Sequence, residues 1–190
     1  MKDNSITILL KSKKTVFDFN DLALLWQIKD NNYLKTKVYR LAKNKQILRI
    51  RKGIFVLDEN FNRYELANKL VNPSYVSLQT ILAKEGIIFQ YDGTIHSVSR
   101  INKEIKIKDQ KFIYRKIKDD ILLDSKGIKI KTNFSAACRE RALIDLSYLE
   151  KDFYFDNLKD INWQNVFDLA LIYDNKSLIK RLKILRKKYA

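Results

Sequence analysis

The sequence predicts an α+β fold in which a small N-terminal domain precedes a mixed α/β domain. Two observations support this prediction. Three segments with helical apolar spacing and a short β-hairpin fill the first 58 residues, and short strands alternate with helices over the remainder. We therefore place the domains at residues 1–58 and 59–190. The chain has no visible internal repeat, which argues against a solenoid.

The N-terminal domain is predicted to begin with two short helices. Apolar residues at helical spacing place them over residues 5–12 and 20–28. Asn20 or Asp21 is the expected cap of the second helix, because short polar side chains accept hydrogen bonds from the first free backbone amides. Residues 15–19 form an extended link between the two helices.

The third predicted helix, over residues 33–45, has one side without any acid. Its apolar stripe consists of Leu34, Val38, Leu41 and Ala42. The remaining surface carries Asn32, Lys35, Thr36, Lys37, Tyr39, Arg40 and Lys43. A solvated helix usually mixes both signs of charge, because i,i+4 ion pairs stabilise it. A helix that lacks such pairs is suited to facing phosphates.

A basic hairpin follows this helix. Residues 47–51 alternate apolar and basic side chains, so that one face carries Arg49 and Arg51. Lys52 and Gly53 join this run to residues 54–57, and glycine supplies the positive φ of a tight turn. Three helices followed by a basic hairpin is the order of a winged helix-turn-helix.

This arrangement predicts binding to double-stranded DNA. The third helix would enter the major groove, and the hairpin would lie along the backbone. Arg40 and Asn32 are the candidates for reading base edges, while the lysines neutralise phosphates. The full predicted interface is Asn32, Lys35, Thr36, Lys37, Tyr39, Arg40, Lys43, Arg49, Arg51 and Lys52. The alternative is a winged helix that contacts only proteins.

The distribution of charge agrees with a polyanionic partner. The net charge is +16, of which +9 lies in residues 1–57, none in residues 58–175 and +7 in residues 176–190. Concentrated positive charge attracts nucleic acid, or otherwise an anionic membrane surface. A last helix, from about residue 177, carries a possible secondary basic surface of Lys180, Arg181, Lys183, Arg186, Lys187 and Lys188. Three roles are possible for this surface: it makes a second phosphate contact, it binds an acidic or RNA-bound partner, or it is simply solvated.

The second domain is predicted from weaker signals. Strands are expected over residues 87–91, 94–99, 103–108, 111–117, 121–123 and 128–131, with a hairpin turn at residues 91–94. Helices are expected over residues 63–71, from a Ser77 cap to Gly86, over 134–149, over 163–173 and from 177 onward.

Catalytic chemistry finds little support, and we expect no catalytic residue, metal site or cofactor. His96 is the only histidine, and we interpret it as a hydrogen-bonding strand residue. Cys138 lies beside arginines that could lower its pKa, but a small core residue is the favoured interpretation. Arg141 and Asp145 stand at i,i+4 and predict a structural ion pair.

A metal-dependent nuclease is the enzymatic alternative. It would use the acid-x-Lys triplets that begin at Glu104 and Asp109, with Asp92 as a further metal ligand. Such triplets also begin at Asp124 and Asp174, which is about as many as the lysine content gives by chance.

Four segments stand in a characteristic order: residues 41–56 (LAKNKQILRIRKGIFV), residues 73–82 (PSYVSLQTIL), residues 86–95 and residues 139–146 (RERALIDL). In this order they resemble the AbiEi family, the antitoxin half of type IV toxin–antitoxin pairs. The resemblance implies a repressor that binds inverted repeats in its own promoter. It also implies an antitoxin that counters a nucleotidyltransferase-like toxin without a stable complex between the two. The region after Tyr148 lies outside the resemblance.

The expected location is the cytoplasm, without a membrane partner. No apolar run approaches the roughly 20 residues that a bilayer crossing needs. Residues 1–5 lack the apolar core of a signal peptide, and a single cysteine excludes an intrachain disulfide.

Overall fold

A computed structural model describes residues 4–189, in which helices and two β-sheets form a mixed α/β structure, as predicted. The helices are α1 (Ser5–Lys11), α2 (Phe19–Trp26), α3 (Asn31–Lys43), α4 (Arg63–Leu70), α5 (Leu78–Lys84), α6 (Asp119–Leu123), α7 (Arg139–Leu149), α8 (Trp163–Ala170) and α9 (Lys176–Tyr189), with a 3-10 turn at Leu171–Tyr173. The expectation for residues 1–5 falls partly on residues 1–3, which lie outside the described ones.

The strands form one small and one large sheet. They are β1 (Val16–Asp18), β2 (Leu48–Arg51), β3 (Ile54–Val56), β4 (Ser74–Val76), β5 (Ile95–Ser99), β6 (Lys103–Ile107), β7 (Gln110–Lys116), β8 (Ile128–Ile130) and β9 (Ser135–Ala137). The small sheet has the antiparallel order β1-β3-β2, and the large sheet has the order β6-β7-β5-β4-β9-β8.

A small apolar cluster fixes the orientation of α3. Leu34, Val38 and Leu41 are buried in it, together with Phe17 of β1 and Phe55 of β3. Because these three α3 residues share one stripe, the opposite stripe must face outward. The periodicity that predicts the stripe is thus confirmed.

The cap of α2 differs from the expected one. The carboxylate of Asp18 accepts a hydrogen bond from the amide of Asp21 at 2.8 Å, and the Asp21 carboxylate accepts one from the amide of Asp18 at 3.1 Å. This reciprocal pair is a capping box, so the helix begins at Phe19. Asn20 and Asp21, the expected caps, lie inside the helix.

Different layers cover the two faces of the large sheet. Tyr75 of β4, Val98 of β5 and Arg115 of β7 are neighbours in register, so they share one face. On that face the Tyr75 hydroxyl reaches α7, where it donates to Asp145. Tyr114 points to the other face, where its hydroxyl donates to the Ala67 carbonyl of α4 at 2.7 Å. Helix α7 and helix α4 therefore lie on opposite sides of the sheet.

Several predictions for the large sheet are wrong. Residues 121–123 belong to α6, which Asp119 and Asp120 open, since acidic side chains stabilise a helix N-terminus. Residues 87–91 form a loop, in which the Ile87 carbonyl accepts the amides of Asp156 and Asn157. The turn at residues 91–94 therefore joins no hairpin. The predicted helix over residues 134–149 begins only at Arg139, because residues 135–137 form β9.

A polar contact joins the N-terminal segment to α4. Lys69 of α4 places its Nζ 2.8 Å from a carboxylate oxygen of Asp18 and 2.6 Å from one of Asp21. Glu65 of α4 accepts hydrogen bonds from the amide and hydroxyl of Thr15 at 3.0 and 2.7 Å. The N-terminal segment is thereby attached on the α4 side of the large sheet.

Asp21 makes this contact sensitive to pH. Burial alone would raise its pKa, but hydrogen bonds from Lys14 and Lys69 outweigh burial and hold the pKa below its ordinary value. A carboxylate with a lowered pKa contributes stability above its unfolded pKa of about 4, and that stability is lost as pH falls through its folded pKa.

Replacement of Lys69 with Met is expected to lower the free energy of unfolding by about 1.5–3 kcal/mol at neutral pH, because it leaves a buried carboxylate with one lysine. Urea unfolding at several pH values measures this loss, which should shrink below about pH 4. Lys111→Met is the control, because its exposed pair with Glu104 is worth at most about 1 kcal/mol. Equal losses for the two variants would contradict the prediction.

Within the described residues no helix combines the length and apolar character needed to cross a bilayer.

Candidate nucleic-acid interface

Helix α3 presents a polar surface that follows from its cap and its apolar stripe. The Asp30 side chain accepts hydrogen bonds from the amides of Asn32 and Tyr33, at 2.7 and 3.2 Å, and so starts the helix. The exposed residues opposite the apolar stripe form what we call the α3 polar face: Asn32, Lys35, Thr36, Tyr39, Arg40 and Lys43.

The cations of the α3 polar face are free of ion pairs. In the part of the chain that the structure describes, Lys35, Arg40 and Lys43 form no salt bridge. Thr36 donates its hydroxyl to the Asn32 carbonyl at 2.9 Å and so keeps an oxygen free to accept. Tyr39 is 66% exposed. The face therefore offers cations, an amide and hydroxyls, the groups that bind phosphates and base edges.

Lys37 lies apart from this face. It is half-buried, and its Nζ is 5.0 Å from the centroid of the Trp26 ring of α2. This position is a cation–π contact between α3 and α2. The helical angle of Lys37 places it on the flank of the stripe, but no sequence pattern indicates the nearby indole.

The β2–β3 hairpin adds three exposed cations, Arg49, Arg51 and Lys52. Arg49 and Arg51 stand two residues apart on β2 and so share its exposed face, although the pairing with β3 shifts register between them. Gly53 turns the chain with φ +81°, as the hairpin requires. The Arg49 Nε donates to the Arg51 carbonyl at 3.4 Å.

The hairpin borders the edge of the large sheet. Ile50 and Arg51 line a groove of about 530 Å³ together with residues of β6, among them Lys103 and Lys106. These two lysines were not among the predicted interface residues. Only the fold brings them near Arg51, since about 50 residues of chain separate them from it.

The predicted secondary surface on α9 divides in two. Lys180, Lys183 and Lys187 are exposed, as predicted. Arg181, by contrast, donates to the Ser147 carbonyl of α7 at 2.8 Å and is half-buried.

Arg186 and Lys188, in the last turn of α9, are exposed and lie near aromatic rings. The Arg186 guanidinium lies 6.0 Å from the Phe167 ring centroid, and Lys188 lies near Tyr154 and Tyr189. The helix begins one residue earlier than predicted, which adds an exposed Lys176 to its surface.

The predicted ion pair of α7 is buried in the centre of the protein. The Arg141 Nε is 3.6 Å from the Asp145 Oδ1, and both side chains are fully buried. Asp145 accepts hydrogen bonds from Tyr173 at 2.5 Å, Ser77 at 2.7 Å and Tyr75 at 3.1 Å. We call these five residues the Asp145 cluster.

Both charges of the cluster are satisfied mainly by other groups. The Arg141 guanidinium donates to the carbonyls of Ile121 and Lys126, at 2.6 and 2.8 Å. Burial raises the pKa of the Asp145 carboxyl, while Arg141 and the hydroxyl donors act in the opposite direction. Burial and the Asp145 charge raise the pKa of Tyr75 and of Tyr173 well above its ordinary value. Both hydroxyls therefore keep the protons that they donate.

The sequence does not predict the three hydroxyl groups that donate hydrogen bonds to Asp145. Ser77 stands at the predicted cap of α5, but it gives its hydroxyl to Asp145 and makes no cap hydrogen bond. Tyr75 and Tyr173 lie 70 and 28 residues from Asp145 in sequence. No local pattern connects such distant positions.

His96 and Cys138 occupy structural positions. His96 lies on β5, its Nδ1 is 3.1 Å from the Thr94 carbonyl, and burial lowers its pKa. Cys138 precedes α7, where its sulfur accepts the Arg141 amide, and burial raises the pKa of its thiol. The neighbouring arginines therefore do not activate the thiol.

The residues of the nuclease alternative lie on exposed surface. Glu104 forms an exposed ion pair with Lys111 on the neighbouring strand at 3.0 Å. The Asp92 carboxylate accepts the amide and hydroxyl of Thr94, both at 2.9 Å. Between residues 4 and 189, no three His, Cys, Asp or Glu side chains are grouped so that they could hold a metal ion.

A comparison with protein-family models finds no match to the chain, and a search among curated proteins finds none.

Proposed function

We propose that the N-terminal segment is a winged helix-turn-helix that binds double-stranded DNA, and that the chain represses transcription of its own operon from the cytoplasm. The observation that carries the proposal is the α3 polar face, which has unpaired cations and no acid. The order α1-β1-α2-α3-β2-β3, with an antiparallel sheet beside three helices, supports the same interpretation.

In this proposal the α3 polar face and the β2–β3 hairpin contact different parts of the DNA. The α3 polar face enters the major groove, where the guanidinium of Arg40 and the amide of Asn32 have the geometry to contact base edges. Lys35 and Lys43, with the hydroxyls of Thr36 and Tyr39, contact phosphates. The hairpin cations lie on the flanking backbone, where they add affinity without sequence preference.

An antitoxin role is the second part of the proposal, and it rests on the resemblance to the AbiEi family. The chain would counter a nucleotidyltransferase-like toxin without a stable complex between the two. Arg141 and Asp145, in the fourth resembling segment, are fully buried. These two residues therefore have a structural role, and a toxin could not contact their buried side chains.

The experiment is a titration of the purified protein against its own upstream DNA and against random DNA of equal length, at two salt concentrations. We expect a preference of about 10³-fold or more for the upstream DNA, which is usual for specific recognition. Equal, steeply salt-dependent binding to both DNAs would overturn the repressor and leave only a polyanion sensor. Absence of binding at physiological salt would instead favour a protein-interaction module.

A further inference from the structure

Helix α9 carries an exposed row of lysines that the proposed operator contact does not use. Lys176, Lys180, Lys183 and Lys187 are all exposed, and we call them the lysine stripe. At 100° per residue they fall within about 60° of one another, opposite the buried Leu178 and Leu182. The stripe is about 16 Å long, at a rise of about 1.5 Å per residue.

Nothing within the described residues neutralises the stripe. None of its four ammonium groups forms a salt bridge, and α9 contains no acid. The pairs Lys176–Lys180 and Lys183–Lys187 stand at i,i+4, where like charges destabilise a helix. Lys176 also lies at the helix N-terminus, where the helix dipole disfavours a cation. The stripe thus weakens its own helix, which suits a surface that binds anions.

The residue types of the stripe indicate which class of anion it binds. Its spacing of i, i+4, i+7 and i+11 is the spacing of Asn32, Thr36, Tyr39 and Lys43 on α3. Where α3 offers an amide and hydroxyls, α9 offers only lysines, which contact phosphates and read no base. Ile184 is the one exposed large apolar side chain on the described part of α9, so the surface lacks the apolar stripe of a membrane-bound helix. A nucleic-acid backbone therefore fits better than a bilayer.

The fold separates the lysine stripe from the α3 polar face. Arg181 attaches α9 to α7, on one side of the large sheet. Lys69 attaches the N-terminal segment to α4, on the other side. The N-terminal segment and α9 are thus attached on opposite sides of the sheet.

We propose that the lysine stripe binds the phosphate backbone of a second DNA duplex, so that one chain joins two duplexes. Binding at α9 is a property of the stripe alone, whereas the joining of two duplexes rests on the proposed function of α3. Contact at α9 should be independent of sequence and strongly dependent on salt.

The test uses the full chain and a random-sequence duplex of about 20 base pairs, two turns of DNA. One variant, Arg40→Ala/Arg49→Ala/Arg51→Ala/Lys52→Ala, weakens the N-terminal contact. The second, Lys180→Gln/Lys183→Gln/Lys187→Gln, neutralises the stripe. The matched control, Lys118→Gln/Lys126→Gln/Lys129→Gln, removes equal charge from exposed lysines outside α9. Thermal unfolding verifies that each variant folds.

We expect the variant with the weakened N-terminal contact to keep salt-dependent binding, and to bind much more weakly and with a smaller salt slope when the stripe substitutions are added. Loss of three phosphate contacts should reduce the slope of log K against log salt by about 2.7. An unchanged slope, or an equal reduction in the control, would overturn the proposal. Binding to vesicles that contain phosphatidylglycerol, without binding to the duplex, would overturn it in favour of a membrane surface.

A capture experiment tests the joining of two duplexes. Wild-type protein bound to an immobilised upstream duplex should retain a second, labelled duplex, and the stripe variant should retain the first duplex only. If the wild type holds the first duplex but never captures the second, a second duplex is excluded. If the wild type fails to hold the first, the proposed function of α3 fails, while the slope measurement still decides the role of α9.

Discussion

Replacement of Asp145 with Ala is expected to lower the free energy of unfolding by about 3–5 kcal/mol. The carboxylate is fully buried, and its removal leaves the Arg141 charge without its counterion and three hydroxyls without an acceptor. A buried cation without a counterion is far more destabilising than a lost surface ion pair, because water cannot replace the missing charge. Urea unfolding followed by circular dichroism measures the change.

Graded variants separate the charge from its hydrogen bonds. Ser77→Ala and Tyr173→Phe each remove one donor and should lower the stability by about 1–3 kcal/mol, less than the loss of the carboxylate itself. The control is Asp168→Ala on α8, whose exposed carboxylate accepts the Gln164 side-chain amide at 3.0 Å, with an expected change within about 0.5 kcal/mol. A loss for Asp145→Ala no larger than that of this control would show that the cluster does not hold the core together.

Replacement of Arg40 with Ala is expected to weaken binding to the upstream DNA by about 1–3 kcal/mol, or roughly 5- to 150-fold, and to relax the sequence preference. Arg40 is exposed on the α3 polar face and forms no salt bridge within the described residues, so its guanidinium is available to a base edge. Binding to random DNA should fall much less. Fluorescence anisotropy with both DNAs, at one fixed salt concentration, gives the two changes.

Lys52→Ala at the hairpin tip is the matched control for Arg40→Ala. A lysine that contacts only phosphate should weaken binding to both DNAs about equally, and its loss should reduce the salt slope by about 1. Equal losses on upstream and random DNA for Arg40→Ala would contradict base reading by this residue. The same result would indicate that Arg40 contacts the phosphate backbone of the DNA and no base.

Elements defined by periodicity could be predicted, and elements defined by distant partners could not. Leu34, Val38 and Leu41 repeat at helical spacing, so the orientation of α3 follows from the sequence. Strand β9, which is Ser-Ala-Ala, has no β-branched or aromatic residue, and its neighbours in the sheet determine it. The apolar run at residues 121–123 is compatible with either a strand or a helix, and two preceding acids favour the helix.

In the candidate site, too, features set by local sequence could be predicted and features set by distant partners could not. Exposure of the cations on α3 and the hairpin could be predicted, because it depends on local alternation and on one turn. The positions of Lys37 and Arg181 could not, since each depends on a partner in another helix, Trp26 and Ser147 respectively. A basic residue can be assigned to an interface only when its contacts within the fold are known.

Strand β6, one edge of the large sheet, has a consequence for how copies of the chain behave toward one another. An edge strand leaves a row of backbone amides and carbonyls unpaired, and another chain can add a strand there and start aggregation. Lys103 and Lys106 stand along this edge, and a second copy would bring the same charges against them. Strand β8, at the opposite edge, is only three residues long and offers a short template. The lysines of β6 therefore help to prevent the sheets of two copies from pairing at this edge.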